Sequence, residues 1–146
     1  MEQPTRPWRI EDIDKLLELL PIMESPDFVA ATWPQEVDTA DLQMPYPTYH
    51  PVVDQMRTLL FSTSAYIDPY APLPEDPTQE GVPFNVMGVD YPLAYFETAT
   101  VDQLRRYLVR CYRSERFCDG YIDSQFKSGS IQSALRRLRE LRANMR

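Results

Sequence analysis

The sequence predicts a mainly α fold: a compact single domain of about five or six helices with a minor β component and proline-rich loops. Three observations lead there. Apolar residues recur at helical spacing in four separate stretches, helix-start and helix-stop residues bracket those stretches, and 14 prolines against 4 glycines are concentrated between them. At 146 residues, with 43% hydrophobic and 25% charged side chains, residues 1–146 suit one globular domain large enough to bury a core without disulfide or metal staples. Aromatic residues at 12% argue against disorder.

Ile10, Ile13, Leu16, Leu17 and Leu20 mark a first helix over 10–20, with Glu11, Asp12 and Asp14 in the first turn and Pro21 ending or kinking it. Residues 25–50 read as ordered loop, with Phe28 and Trp33 plugging the core. The run Met44-Pro45-Tyr46-Pro47-Thr48-Tyr49-His50-Pro51 is held extended by its prolines, as polyproline II or an edge strand. Pro51 suits the first position of a second helix over 51–64, which buries Val52, Met56, Leu59, Leu60 and Thr63. A short extended piece at 66–68, an irregular stretch at 69–83, a short strand at 86–89 and a short helix from Pro92 to Glu97 come next.

Thr100-Val101-Asp102-Gln103 reads as a capping box opening a helix that runs to Phe117. Its inward face is Val101, Leu104, Leu108 and Cys111, and Arg106, Arg110 and Arg113 form a basic stripe opposite. Another helix covers 119–127. Gly129 supplies the left-handed stop, and Ser130 caps the last helix, over 131–144, which buries Ile131, Ala134, Leu135, Leu138 and Leu141.

Charge is unevenly spread. Residues 1–99 hold four bases and 17 acids; residues 100–146 hold 11 bases and five acids, for a net of -7 overall. The plain expectation is that the two halves attract each other and orient their packing. Net acidity weakens general attraction to phosphate, so nucleic acid is a disfavoured partner. No stretch approaches the roughly 18 apolar residues of a membrane span, and Met1 to Trp8 lacks the apolar core of a secretory signal. Cys111 and Cys118, seven apart on a helical pattern, would lie about 10 Å apart and cannot bridge on an unbroken helix; both read as buried, reduced cytosolic thiols.

Motifs for chemistry are sparse. Glu115, Asp119 and Asp123 fall at i, i+4 and i+8, so one unbroken helix would align three carboxylates able to hold Mg²⁺ or Ca²⁺, with Asp90 or Glu97 completing the shell. A solvated face neutralised by Arg113, Arg116 and Lys127 is the favoured alternative, and a turn near Cys118 would scatter the row. His50 reads as a cap rather than a base, Glu75 and Asp76 as a solvated loop pair, and the serines lack a nucleophile elbow. One histidine and two cysteines are too few for a typical structural zinc site, and four glycines could hardly build a phosphate loop.

Arg116-Phe117-Cys118-Asp119-Gly120, followed by Ser128-Gly129-Ser130-Ile131 and Leu135-Arg136-Arg137-Leu138, resembles the C-terminal signature of a widespread bacterial family of unknown function. The Thr100 to Arg113 segment is similar to the helix leading into that signature. Met44-Pro45-Tyr46 and the helix after Pro51 resemble the family's middle region, and the resemblance does not extend to 69–83. The resemblance implies one domain and carries no catalytic residues. Physically, Phe117 would anchor two helices, Gly120 would let another helix approach, and Arg116 would hydrogen-bond carbonyls at the turn.

These readings favour a soluble, cytoplasmic, non-enzymatic binding or adaptor protein with no cofactor. It would engage a protein partner through Tyr46, Tyr49 or the basic face of Arg106, Arg110 and Arg113. A homodimer stays open, as do an enzyme with a carboxylate-bound metal and a nucleic-acid-associated protein.

Overall fold

A computed structural model describes residues 6–33, 47–64, 93–116 and 118–145. The first helix, α1 (Ile10–Leu17), starts where the Asp12 carboxylate accepts the Arg9 backbone amide at 2.8 Å. The same carboxylate takes a two-pronged ion pair from Arg6, at 2.6 and 2.9 Å, and that guanidinium holds the Asp12 carboxyl below its usual range. The expected helix over 10–20 is in fact two pieces: α1 stops at Leu17 and a single turn, α2 (Leu20–Met23), carries Pro21 in its first turn. Proline lacks the amide and crowds the carbonyl four residues back, so it starts the second piece instead of ending the first.

Strands β1 (Ala31–Thr32) and β2 (Thr48–Tyr49) pair antiparallel, Ala31 opposite Tyr49 and Thr32 opposite Thr48. This is the minor β component, and residues 48–49 are the edge strand that the proline spacing allowed. His50 comes next, its Nδ1 accepting the Val52 amide at 3.0 Å, so it caps α3 (Pro51–Ser64). Then come α4 (Leu93–Glu97), α5 (Val101–Glu115), α6 (Tyr121–Lys127) and α7 (Ser130–Ala143). The Thr100 hydroxyl accepts from the Gln103 amide while the Gln103 side chain accepts from the Thr100 amide, the reciprocal cap expected of this pair. Gly129, at φ +83°, separates α6 from α7 and itself occupies the N-cap position expected of Ser130.

Six helices, one further helical turn and the two-stranded sheet, among the described residues, form one compact mainly helical domain. The last helix is its axis: α7 packs against α1, α2, α4, α5 and α6, and Ile131, Ala134, Leu135 and Leu138 have essentially no exposed surface. Ile13, Leu16 and Leu20 meet it from one side, Leu104 and Leu108 from another, and Met56 and Leu60 continue the same core.

The α5 helix departs most from expectation. It is buried nearly all round: Arg105, Tyr107, Val109, Arg110 and Tyr112 are buried along with Leu104 and Leu108. Arg105 shows how a cation is accommodated there. Its guanidinium donates to the Ser64 hydroxyl and to the backbone carbonyls of Thr63 and Arg6, closing the C-terminal end of α3, and Trp8 covers it at 5.5 Å. The Tyr107 and Tyr112 hydroxyls donate to Gln125 and to the Val53 carbonyl.

The charge asymmetry is partly resolved within the chain. Arg142 of α7 pairs with Asp14 of α1 at 2.7 Å, Arg136 and Arg139 both reach Glu24 just past α2, and Arg137 donates to the Ala99 carbonyl. No described helix is long and apolar enough to cross a membrane. Phe117, Tyr46, Asp90, the 66–68 and 69–83 stretches and the 86–89 strand lie outside the described residues.

Candidate functional site

The turn between α5 and α6 is organised by one carboxylate. Glu115, the last residue of α5, accepts the Gly120 amide on Oε2 and the Ile122 amide on Oε1, each at 2.8 Å. It thereby caps α6, whose own N-cap residue is a glycine without a side chain. The Tyr49 hydroxyl donates to the same Oε1 at 2.7 Å. Burial, reinforced by this carboxylate, drives the Tyr49 phenol far above its ordinary value, so it keeps its proton.

Asp123, in the first turn of α6, accepts the Trp33 indole N–H at 2.9 Å and pairs with Lys127 at 2.9 Å. The Trp33 ring lies directly against Gly120 (φ +91°), where an added Cβ would fall 2.6 Å from Cζ2. The close approach expected at Gly120 is real, but the visitor is an indole from the β1 end and not a helix. Trp33 and Tyr49 thus fasten the small sheet onto the start of α6.

This geometry dissolves the carboxylate row. The chain turns between Arg116 and Gly120, leaving Glu115 on α5, Asp119 exposed in the turn and Asp123 buried on α6. Among the described residues no group of three His, Cys, Asp or Glu side chains is placed to hold a metal. The basic stripe is likewise not a continuous surface. Arg110 is 1% exposed, Arg106 is half-buried, and half-buried Arg113 sits 5.7 Å over the Phe61 ring. The cause is the all-round burial of α5, in which arginine stems serve as core packing.

A cleft of about 150 Å³ opens beside the turn, between α3 and the α5–α6 junction. Val53 and Ile122 line its floor, Tyr49 and Tyr112 its walls, and Arg57, Arg116 and Asp54 its rim. Of the expected binding residues that are described, only Tyr49 is here. Arg57 and Arg116 carry no sequence signal for such a site: Arg57 is one of the four bases in the acidic part, and Arg116 stands in the family-like signature, where its expected role is that of a carbonyl partner. It is exposed and makes no such bond among the described residues.

Residues 9–144 match the model of a family described as a family of unknown function, DUF6508. The chain belongs to the DUF6508 family. No curated protein and no solved structure matches it. The DUF6508 match runs from the cap of α1 to the end of α7, so the cleft and the turn that builds it lie wholly within it.

The two thiols of this DUF6508 member differ, against the expectation that both are buried. Cys111 is enclosed in the core, and burial pushes its thiol up to about 12; Cys118 is exposed in the turn. A disulfide reagent such as DTNB at neutral pH is therefore expected to titrate one thiol per native chain and two in denaturant. Titration of two in the native state would contradict the burial of Cys111.

Proposed function

We propose that this protein is a non-enzymatic binding or adaptor protein of the bacterial cytoplasm, and that the cleft beside the α5–α6 turn is the surface through which it engages a protein partner. One observation carries this reading: the carboxylates of Glu115 and Asp123 are engaged inside the fold, whereas the cations at the cleft are not. Glu115 accepts three hydrogen bonds and Asp123 is held by Trp33 and Lys127. Arg57 and Arg116 are exposed on the rim of a preformed cleft whose aromatic walls are fixed by their own hydrogen bonds. Arg136, Arg139 and Arg142 of α7, which a nucleic acid would require, are paired with Glu24 just past α2 and with Asp14 of α1, which speaks for a protein partner.

Selection of displayed peptides against the immobilised full chain tests the reading. Enriched peptides should shift the Val53, Arg116 and Ile122 amide resonances. Failure to enrich any sequence, or shifts confined to other faces, would refute it.

A further inference from the structure

The hydrogen-bonding inventory of the cleft is lopsided. Both phenols on its walls have committed their protons, Tyr49 to Glu115 and Tyr112 to the Val53 carbonyl. Both Glu115 oxygens already accept hydrogen bonds, Oε1 from Ile122 and Tyr49 and Oε2 from Gly120. What remains to donate is the pair of guanidiniums, Arg57 from α3 and Arg116 from the turn after α5. Among the described residues neither makes an ion pair or a side-chain hydrogen bond, unlike Arg6, Arg136, Arg137, Arg139 and Arg142, which each hold an acid of this chain. Donors that this chain leaves unused are complemented by an acceptor, and guanidinium forks match a carboxylate in shape and charge. Asp54 on the rim works against this, and it repels a doubly charged group more than a singly charged one.

Resting on the binding reading above, we propose that the cleft receives an acidic side chain of the partner protein. The Glu or Asp carboxylate lies between Arg57 and Arg116, and the apolar residues flanking it in the partner lie against Val53 and Ile122.

The test is titration of the isotope-labelled full chain with the capped peptide Leu-Glu-Leu-Glu-Leu and with its glutamine counterpart, followed by NMR. The glutamate peptide should give saturable shifts at the Arg57 and Arg116 side-chain N–H signals and at the Val53 and Ile122 amides. Its dissociation constant should be roughly fivefold lower than that of the glutamine peptide, the size of one partly exposed charge pair. Arg57→Gln and Arg116→Gln, both at exposed positions and so expected to fold, should each weaken binding by about threefold. Asp54→Asn should tighten it, and Arg9→Gln, at the exposed position before α1, should leave it unchanged. Equal binding of the two peptides at the cleft overturns the acid preference and leaves the binding reading standing. Equal weakening by Arg9→Gln reduces the effect to general attraction and overturns the site. Should neither these peptides nor any selected by display reach the cleft, both readings fall.

Discussion

Gly120→Ala is expected to destabilise the fold by about 2–5 kcal/mol, combining the cost of a left-handed backbone for a residue with a Cβ and that of overpacking. The added methyl would sit 2.6 Å from Cζ2 and 2.8 Å from Cη2 of Trp33, at φ +91°. The indole cannot simply swing away, because its N–H is held by Asp123. Gly129→Ala is the internal control. Gly129 has nearly the same backbone (φ +83°) but nothing within 4 Å of the new atom, so only the conformational cost of about 1–2 kcal/mol remains. Urea denaturation of the two variants separates backbone strain from collision. Adding Trp33→Ala to Gly120→Ala should recover part of the loss relative to the sum of the singles, since the two sites are in contact. Equal destabilisation by the two glycine variants would refute the packing of Trp33 on Gly120.

The second large effect is expected at Glu115. Glu115→Ala leaves the Gly120 and Ile122 amides and the Tyr49 hydroxyl without their shared acceptor, at a cost of about 2–4 kcal/mol for charge-assisted bonds in a partly buried setting. Glu115→Gln keeps one acceptor oxygen and should cost about half as much. Hydrogen exchange supplies the local signature: the Gly120 and Ile122 amides should lose protection in both variants, while the Gln103 amide, capped by Thr100, should lose protection only with global unfolding. Unchanged exchange at Gly120 and Ile122 in the alanine variant would show that the carboxylate is not their partner.

The sequence made legible those features whose cause lies within a few residues. Pro51 placed the start of α3, the Thr100 and Gln103 pair placed α5, and Gly129 placed the α6–α7 break, because each acts on its own backbone. What stayed hidden depends on distant partners. Arg105 is buried because Ser64, Thr63 and Arg6 accept its hydrogen bonds and Trp8 covers it, and no helical periodicity encodes those residues. The assumption of one polar face on α5 therefore failed, and with it the continuous basic stripe of Arg106, Arg110 and Arg113. The carboxylate row failed for a local reason: its spacing presumed an unbroken helix, whereas Glu115 bends the chain back onto itself by accepting amides five and seven residues further on. The cleft was invisible because Arg57 and Arg116 come to line one cleft only through the packing of α3 against α5.

The axial position of α7 has a consequence for the order of events during synthesis. Ile13, Leu16 and Leu20 emerge from the ribosome early, yet the helix that shields them is translated more than a hundred residues later. Until residues 130–143 have cleared the exit tunnel, that greasy stripe has no native cover, and Asp14 and Glu24 lack the arginines that clamp them. A nascent chain arrested before α7 should consequently be protease-sensitive and retained by chaperones. Release of a chain that includes α7 should protect α1 and α7 in the same kinetic step.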